Sequence, residues 1–135
     1  MFMKVMVAID GSETSQKALT EAQNIAASYH GTLCIVYAVG DSDDADQQPG
    51  LKLLEHAKSA VGEGVEVETR LLQAEAEYGL NGITEAITGA AKEWGVDLLV
   101  VGTANRRGLE RLVIGSVAEQ LVAKVDASIL LVRPR

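Results

Sequence analysis

Cysteine is almost missing from this sequence, which holds one thiol, two prolines, one tryptophan and one phenylalanine in 135 residues. A single cysteine, Cys34, cannot close an internal disulfide, so a stapled secreted scaffold is excluded and a reducing compartment is the natural setting. Cys34 lies inside an apolar run and reads as plain core. No apolar stretch reaches the roughly 20 residues that a membrane-crossing helix needs. Met1 to Asp10 leads straight into a strand-like segment without a basic region or a small-residue cleavage pattern, which gives the expectation of a cytoplasmic protein with no membrane insertion. Positive charge is also short. Twelve Lys and Arg against nineteen Asp and Glu leave a net charge of −7, a field that repels nucleic acid and anionic lipid. Two familiar phosphate motifs are missing: there is no G-x-x-x-x-G-K-[ST], and the first strand-to-helix turn lacks G-x-G-x-x-G. Ordinary P-loop enzymes and dehydrogenases are thereby set aside.

What remains is 47% hydrophobic and 23% charged, the balance of one globular domain over residues 1–135. Lys4 to Ile9 is a short apolar run that ends at Asp10-Gly11-Ser12, the pattern of a strand buried on both faces and then a turn. Ala18, Ala22, Ile25, Ala26 and Tyr29 share one helical face, and Gly31 stands where a C-cap glycine belongs. Leu33 to Val39 predicts a second buried strand. Residues 40–50 carry Asp41, Asp43, Asp44, Asp46 and Pro49 and read as a solvated acidic loop. The spacing lacks the glycine and distal glutamate of a calcium loop. Leu51 to Val61 then predicts a short helix.

Val65 to Leu71 alternates apolar and polar residues, as an edge strand with one wet face does. Ile83, Ala86, Ile87, Ala90, Ala91 and Trp94 form the cleanest helical face, closed by Gly95, with Trp94 as a core anchor. Val96 to Val101 predicts a third buried strand. Val117, Ala118, Leu121, Val122 and Val125 mark a last helix, and Ser128 to Val132 a last strand before Pro134. Strict β-α alternation with continuous apolar strands implies a parallel sheet covered by helices on both faces.

In such a sheet, ligands bind beyond the carboxyl ends of the strands, where strand order reverses. The residues expected there are Asp10-Gly11-Ser12, Val39-Gly40-Asp41 and the segment from Gly102 to Gly108. Gly115-Ser116 stands at the mouth of the last helix, where unpaired N–H groups attract an anion. His30 and His56 are each expected on a helix away from this edge, so Ser116 is given no base and no catalytic residue is assigned.

Three blocks carry a resemblance. They are Val7 to Glu13, Val96 to Gly102, and Gly108-Leu109-Glu110-Arg111-Leu112-Val113-Ile114-Gly115-Ser116-Val117-Ala118-Glu119. Together and in this order they resemble the universal stress protein family, over essentially the whole chain. The resemblance implies a single-domain, Rossmann-like α/β fold of the adenine nucleotide alpha hydrolase type, with five parallel strands in the order 3-2-1-4-5. It also implies an adenine nucleotide site. The ATP-binding branch spaces Gly, two residues, Gly, nine residues, then Gly and Ser or Thr. Gly102, Gly115 and Ser116 match, while Asn105 stands in place of the second glycine. Asparagine tolerates the left-handed backbone region better than other non-glycine residues, though its side chain also obstructs close approach of a phosphate.

By resemblance, the backbone around Ala8, Ile9 and Val39 frames the adenine, and Asp10 contacts the ribose or helps hold Mg2+ brought by the nucleotide. Gly102, Thr103, Asn105 and Arg106 line the ribose and phosphates, and Gly115, Ser116 and Val117 cradle the phosphates. The implied ligand is ATP, ADP or AMP. The implied role is stress-response regulation, with ATP hydrolysis weak at most. Alternatives are a slow hydrolase and a family member that works through protein contacts alone, which Asn105 favours. The last strand, expected at a sheet edge, is apolar throughout, and an apolar edge invites a second chain. A homodimer through Ile129 to Val132 is therefore expected, with a further protein partner left unnamed.

Overall fold

A computed structural model describes residues 2–39, 44–74, 80–103 and 116–133, with the side chains at 44–46, 80 and 116 excepted. Five strands, β1 (Lys4–Ala8), β2 (Thr32–Val39), β3 (Glu66–Gln73), β4 (Leu98–Gly102) and β5 (Ser128–Val132), alternate with four helices. These are α1 (Glu13–Tyr29), α2 (Asp44–Ala60), α3 (Leu80–Trp94) and α4 (Ser116–Lys124). The strands form one sheet in the order β3-β2-β1-β4-β5, every pair parallel. This is the topology the sequence predicts.

Side chains alternate between the sheet faces with period two, and the core divides accordingly. Val5, Val7, Leu33, Ile35, Leu98 and Val100 point to one face, where α1 and α2 cover them. Met6, Cys34, Val36, Leu99 and Val101 point to the other, beneath α3 and α4. The pairing register stacks this second face into rows. Cys34, Met6, Leu99 and Ile129 form one row, and Val36, Ala8, Val101 and Leu131 form the next toward the carboxyl edge. Ala38, paired with Leu72, begins a third.

Two features pin the opposite edge of the sheet. The Asp97 Oδ2 accepts from the backbone N–H groups of Met3 and Lys4, both at 2.9 Å, and the Asp97 N–H donates to the Lys4 carbonyl. The Lys4 ammonium donates to the Trp94 carbonyl at 2.8 Å and lies 5.0 Å from the centre of its ring. Trp94 is 8% exposed, the core anchor its helical position predicts.

Three local expectations are corrected. The left-handed residue that ends α1 is His30, at φ 55°, and not Gly31. The Gly31 N–H closes the cap onto the Ala26 carbonyl, and a side chain at Gly31 would strike the Phe2 and Met3 carbonyl oxygens at 2.7 and 2.8 Å. Glycine is kept there by a neighbouring backbone. Second, helix α2 begins at Asp44 and contains Pro49, where a loop was expected up to Gly50. Gly50, Leu54 and Ala57 are buried at helical spacing, with Gly50 against the Tyr37 ring and Leu71. This packing outweighs the single hydrogen bond that proline removes. Of the expected acidic loop, residues 40–43 lie outside the described residues. Third, Val122, expected on the core face of α4, is 52% exposed.

Cys34 is fully buried beneath α3 and α4. Desolvation, with a smaller contribution from the Glu68 carboxylate on the neighbouring strand, pushes its thiol from 9.0 up to about 12 against the opposing pull of Arg70. A raised folded-state value contributes stability that is whole below pH 9.0 and is lost as pH climbs from there toward about 12. Urea unfolding across this window should show a steeper alkaline loss for the parent than for Cys34→Ala. Ellman's reagent at about pH 8 should label Cys34 only after denaturation.

Candidate functional site

At the carboxyl edge of the sheet, β1 is flanked by β2 and β4, which connect to it in opposite directions along the strand order. Helices α1 and α2 leave to one face, α3 and α4 to the other, and the carboxyl edge is left open between them. A cleft of about 350 Å³ opens here. Its two ends differ in chemistry. Ala8, Ala38 and Val101 form an apolar floor, walled by Ile83 and Ile87 of α3 and by Val117, Ala118 and Leu121 of α4. Asp10, Ser12, Ser15 and Thr103 bring polar groups to the other end.

The polar end is built by local rules. Gly11 takes φ 86°, which lets the chain turn sharply out of β1. The Asp10 Oδ1 accepts from the Ser12 N–H at 2.9 Å and holds that turn. Ser12 is the N-cap of α1, its hydroxyl accepting from the Ser15 N–H at 3.2 Å, while the Ser15 hydroxyl donates back to the Ser12 carbonyl at 3.0 Å. Asp10 is thus a turn residue by geometry, and it is also exposed in the cleft. On the far side, the Thr103 N–H donates to the Val132 carbonyl at 2.9 Å, which carries the β4–β5 ladder to the cleft wall.

Gly102 has a second reason to be glycine. A Cβ there would lie 2.6 Å from the Thr14 Cγ2 and 3.3 Å from the Thr14 Cβ and carbonyl carbon. The close approach lets the first turn of α1 sit against the end of β4, which draws Ser12, Ser15, Gly102 and Thr103 around one opening. Thr14 is almost fully buried and its hydroxyl has no hydrogen-bond partner among the described residues.

Of the residues expected to bind, Ala8, Ile9, Asp10, Gly102, Thr103 and Val117 are brought together around this cleft. Val39 is not among its lining residues. Its side chain is buried and its carbonyl accepts from the Ala74 N–H at 2.8 Å. Ala38, one residue earlier, stands at the cleft instead, since a shift of one position along a strand exchanges the faces. Alternation could have shown this, because Ala38 shares its face with Cys34 and Val36. Ser12, expected at this edge with Asp10 and Gly11, is there as an N-cap, while Ser15 was missed. Asn105, Arg106 and Gly115, like Arg107 and Arg111, lie outside the described residues. For Ser116 only the backbone is described, opening α4. Among the described residues, no three His, Cys, Asp or Glu side chains gather into a metal site, and no helix is long and apolar enough to cross a membrane.

Fold and cleft together define a doubly wound α/β domain with an open cleft at its switch point. The universal stress protein family model matches residues 1–133, and the chain belongs to that family. The universal stress protein YxiE of Bacillus subtilis (strain 168) is 31% identical over 98% of this chain and the whole of the relative. A solved universal stress protein from Burkholderia pseudomallei is 30% identical with a TM-score of 0.77, covering 97% of this chain and 96% of its own. A universal stress protein solved in complex with cAMP is 26% identical, also at 0.77, covering 99% of this chain and 98% of its own.

Gly102→Ala should destabilise the fold by about 1–3 kcal/mol through overpacking against α1. Thr14→Ser, which removes the Cγ2 nearest the added methyl, should recover part of that loss in the double variant. Chemical denaturation of the four proteins measures both effects.

Proposed function

We propose that this chain is an adenine-nucleotide-binding regulatory protein of the cytoplasm, taking ATP with Mg2+ and acting as a dimer. The observation that carries this reading is the two-ended cleft at the switch point. Its apolar floor offers a surface for a heteroaromatic base, and its polar end offers hydroxyls and the Asp10 carboxylate to a ribose. The phosphates then run toward the N-terminus of α4, whose N–H groups supply positive field, and Arg106 is the arginine the resemblance offers them. Asp10 keeps a second carboxylate oxygen for the ribose or for the metal that accompanies the nucleotide. The relative that holds cAMP supports the same ligand class. Among the described lining residues Asp10 is the one carboxylate, and there is no histidine or lysine.

The dimer rests on a contrast between the sheet edges. At β3, Glu68 and Arg70 pair with each other at 3.3 Å, and Arg70 with Glu93 at 3.5 Å. Such exposed pairs add little stability, but they put charge along that edge. Strand β5 presents Ile129, Leu130 and Leu131, each half-buried, and no charged side chain. Burying an aliphatic side chain fully is worth roughly 1.5–3 kcal/mol. Light scattering should give twice the 14.3 kDa of one chain. A single-chain mass at micromolar concentration would remove the dimer from the proposal.

A second reading, a family member that works through protein contacts without nucleotide, is favoured by Asn105 in place of the motif glycine. A thermal melt separates the two. Saturation to a hundredfold over Kd adds about 2.7 kcal/mol of stability, several degrees for a chain of this size. ATP with magnesium should raise the parent's Tm by that order, and Asp10→Ala should diminish the rise. No rise and no nucleotide released on denaturation would overturn the proposal. A rise that is absent in the parent and present in Asn105→Gly would establish the second reading.

A further inference from the structure

We infer that Thr14 is a positioning residue for the bound nucleotide: its hydroxyl is a reserved donor for the Gly102 carbonyl, and pairing the two fixes the end of β4 against α1. The inference rests on the nucleotide reading above. Thr14 does not line the cleft; it stands one layer behind it, in the first turn of α1, with its Cγ2 against Gly102. It is 1% exposed, and its hydroxyl has no hydrogen-bond partner among the described residues. A buried hydroxyl left unpaired costs stability, whereas an apolar group of the same shape in its place carries no such cost. Valine has that shape. Packing against Gly102 therefore accounts for the methyl and the branching of this side chain, and leaves the oxygen to be explained.

Two properties of the place give the oxygen a partner. Threonine in a helix divides between two χ1 rotamers, where valine and isoleucine keep to one. A rotation of about 120° exchanges its methyl and hydroxyl and sets Oγ1 beside Gly102. The Thr103 N–H donates to the Val132 carbonyl of β5, so by alternation along the strand the Gly102 carbonyl points to the β1 side. It lies one step past the last β1–β4 pair, Ala8 with Val101, where the chain turns away at Gly11 toward α1. Without a Cβ at Gly102 the hydroxyl has room to reach that carbonyl. The first turn of α1 brings Ser12 and Ser15 to the cleft, and the end of β4 brings Gly102 and Thr103. A bond from Thr14 to Gly102 sets the spacing of these two polar walls, so a ligand that spans them gains the bond that Thr14 otherwise forgoes. Thr14 acts through the walls and does not touch the ligand.

The test separates affinity from stability. Isothermal titration with ATP and magnesium, and urea unfolding without nucleotide, are run on the full-length parent, Thr14→Val and Thr14→Ser. Thr14→Val keeps the shape and loses the oxygen. It should bind ATP about threefold to tenfold more weakly, the worth of one neutral hydrogen bond, while its urea midpoint does not fall below the parent's. Thr14→Ser keeps the oxygen and loses the methyl against Gly102. It should unfold at lower urea yet retain most of the parent's affinity. The two variants thus move the two readouts in opposite senses, which a merely structural role does not do. If Thr14→Val does not fold, Thr14→Ala against Thr14→Ser makes the same comparison, since both lack the methyl and they differ in the oxygen. Thr14→Ala should then bind ATP more weakly than Thr14→Ser by the same factor. Parent-like affinity in Thr14→Val, or equal affinity in the alanine and serine variants, overturns the inference and leaves nucleotide binding intact. A urea midpoint for Thr14→Val below the parent's also overturns it, because the hydroxyl then serves the fold. A parent that binds no ATP overturns the reading of the cleft, and this inference with it.

Discussion

Strand β1 is hydrogen-bonded along both sides, to β2 through Lys4–Ala8 and to β4 through Val5–Ala8. The rest of the molecule depends on that double pairing. With all strands parallel and crossovers right-handed, the chain leaving β1 toward β2 carries its helices to one face. The return to β4 and β5 carries the others to the opposite face. The divergence leaves a cleft at the carboxyl edge above β1. The pinning of Met3 and Lys4 by Asp97 secures β1 at its other end, so the open edge is held by elements that are themselves rigid.

The order and kind of elements were legible because each strand is a short apolar run and each helix a stripe with a period near 3.6. The β-α alternation and the parallel sheet could be read on that basis, while the strand order 3-2-1-4-5 was implied by the family resemblance. Failures came where local chemistry and tertiary packing pull in different directions. Asp44 to Pro49 has the composition of a loop, and only the burial of Gly50, Leu54 and Ala57 against β2 and β3 shows why it is helical. His30 in a left-handed conformation has no composition signal beside a glycine that looked the better candidate. There the decisive fact was the backbone of Phe2 and Met3, distant in sequence until β1 and β2 pair.

The site shows the same division at finer scale. Asp10, Gly102 and Thr103 could be named because turn residues at strand ends have recognisable chemistry. The backbone around Val39 was expected at the site, and the side chain that lines the cleft is that of its neighbour Ala38, on the same face as Val36. Gly102 is instructive in another way. A motif spacing identified it, yet the contact that forbids a side chain is with Thr14 of α1. One glycine therefore serves both the shape of the cleft and the packing of the helix beside it, and neither role alone explains its position.

The uneven treatment of the two sheet edges has a consequence for assembly. Glu68, Arg70 and Glu93 make β3 a poor template for a further strand, whereas β5 carries no such guard. In the proposed dimer, strand addition therefore uses the β5 edge alone. A copy joined at β5 by a two-fold axis consumes both permissive edges and presents two guarded ones, so growth terminates at the pair and a continuous fibre has no second surface from which to propagate.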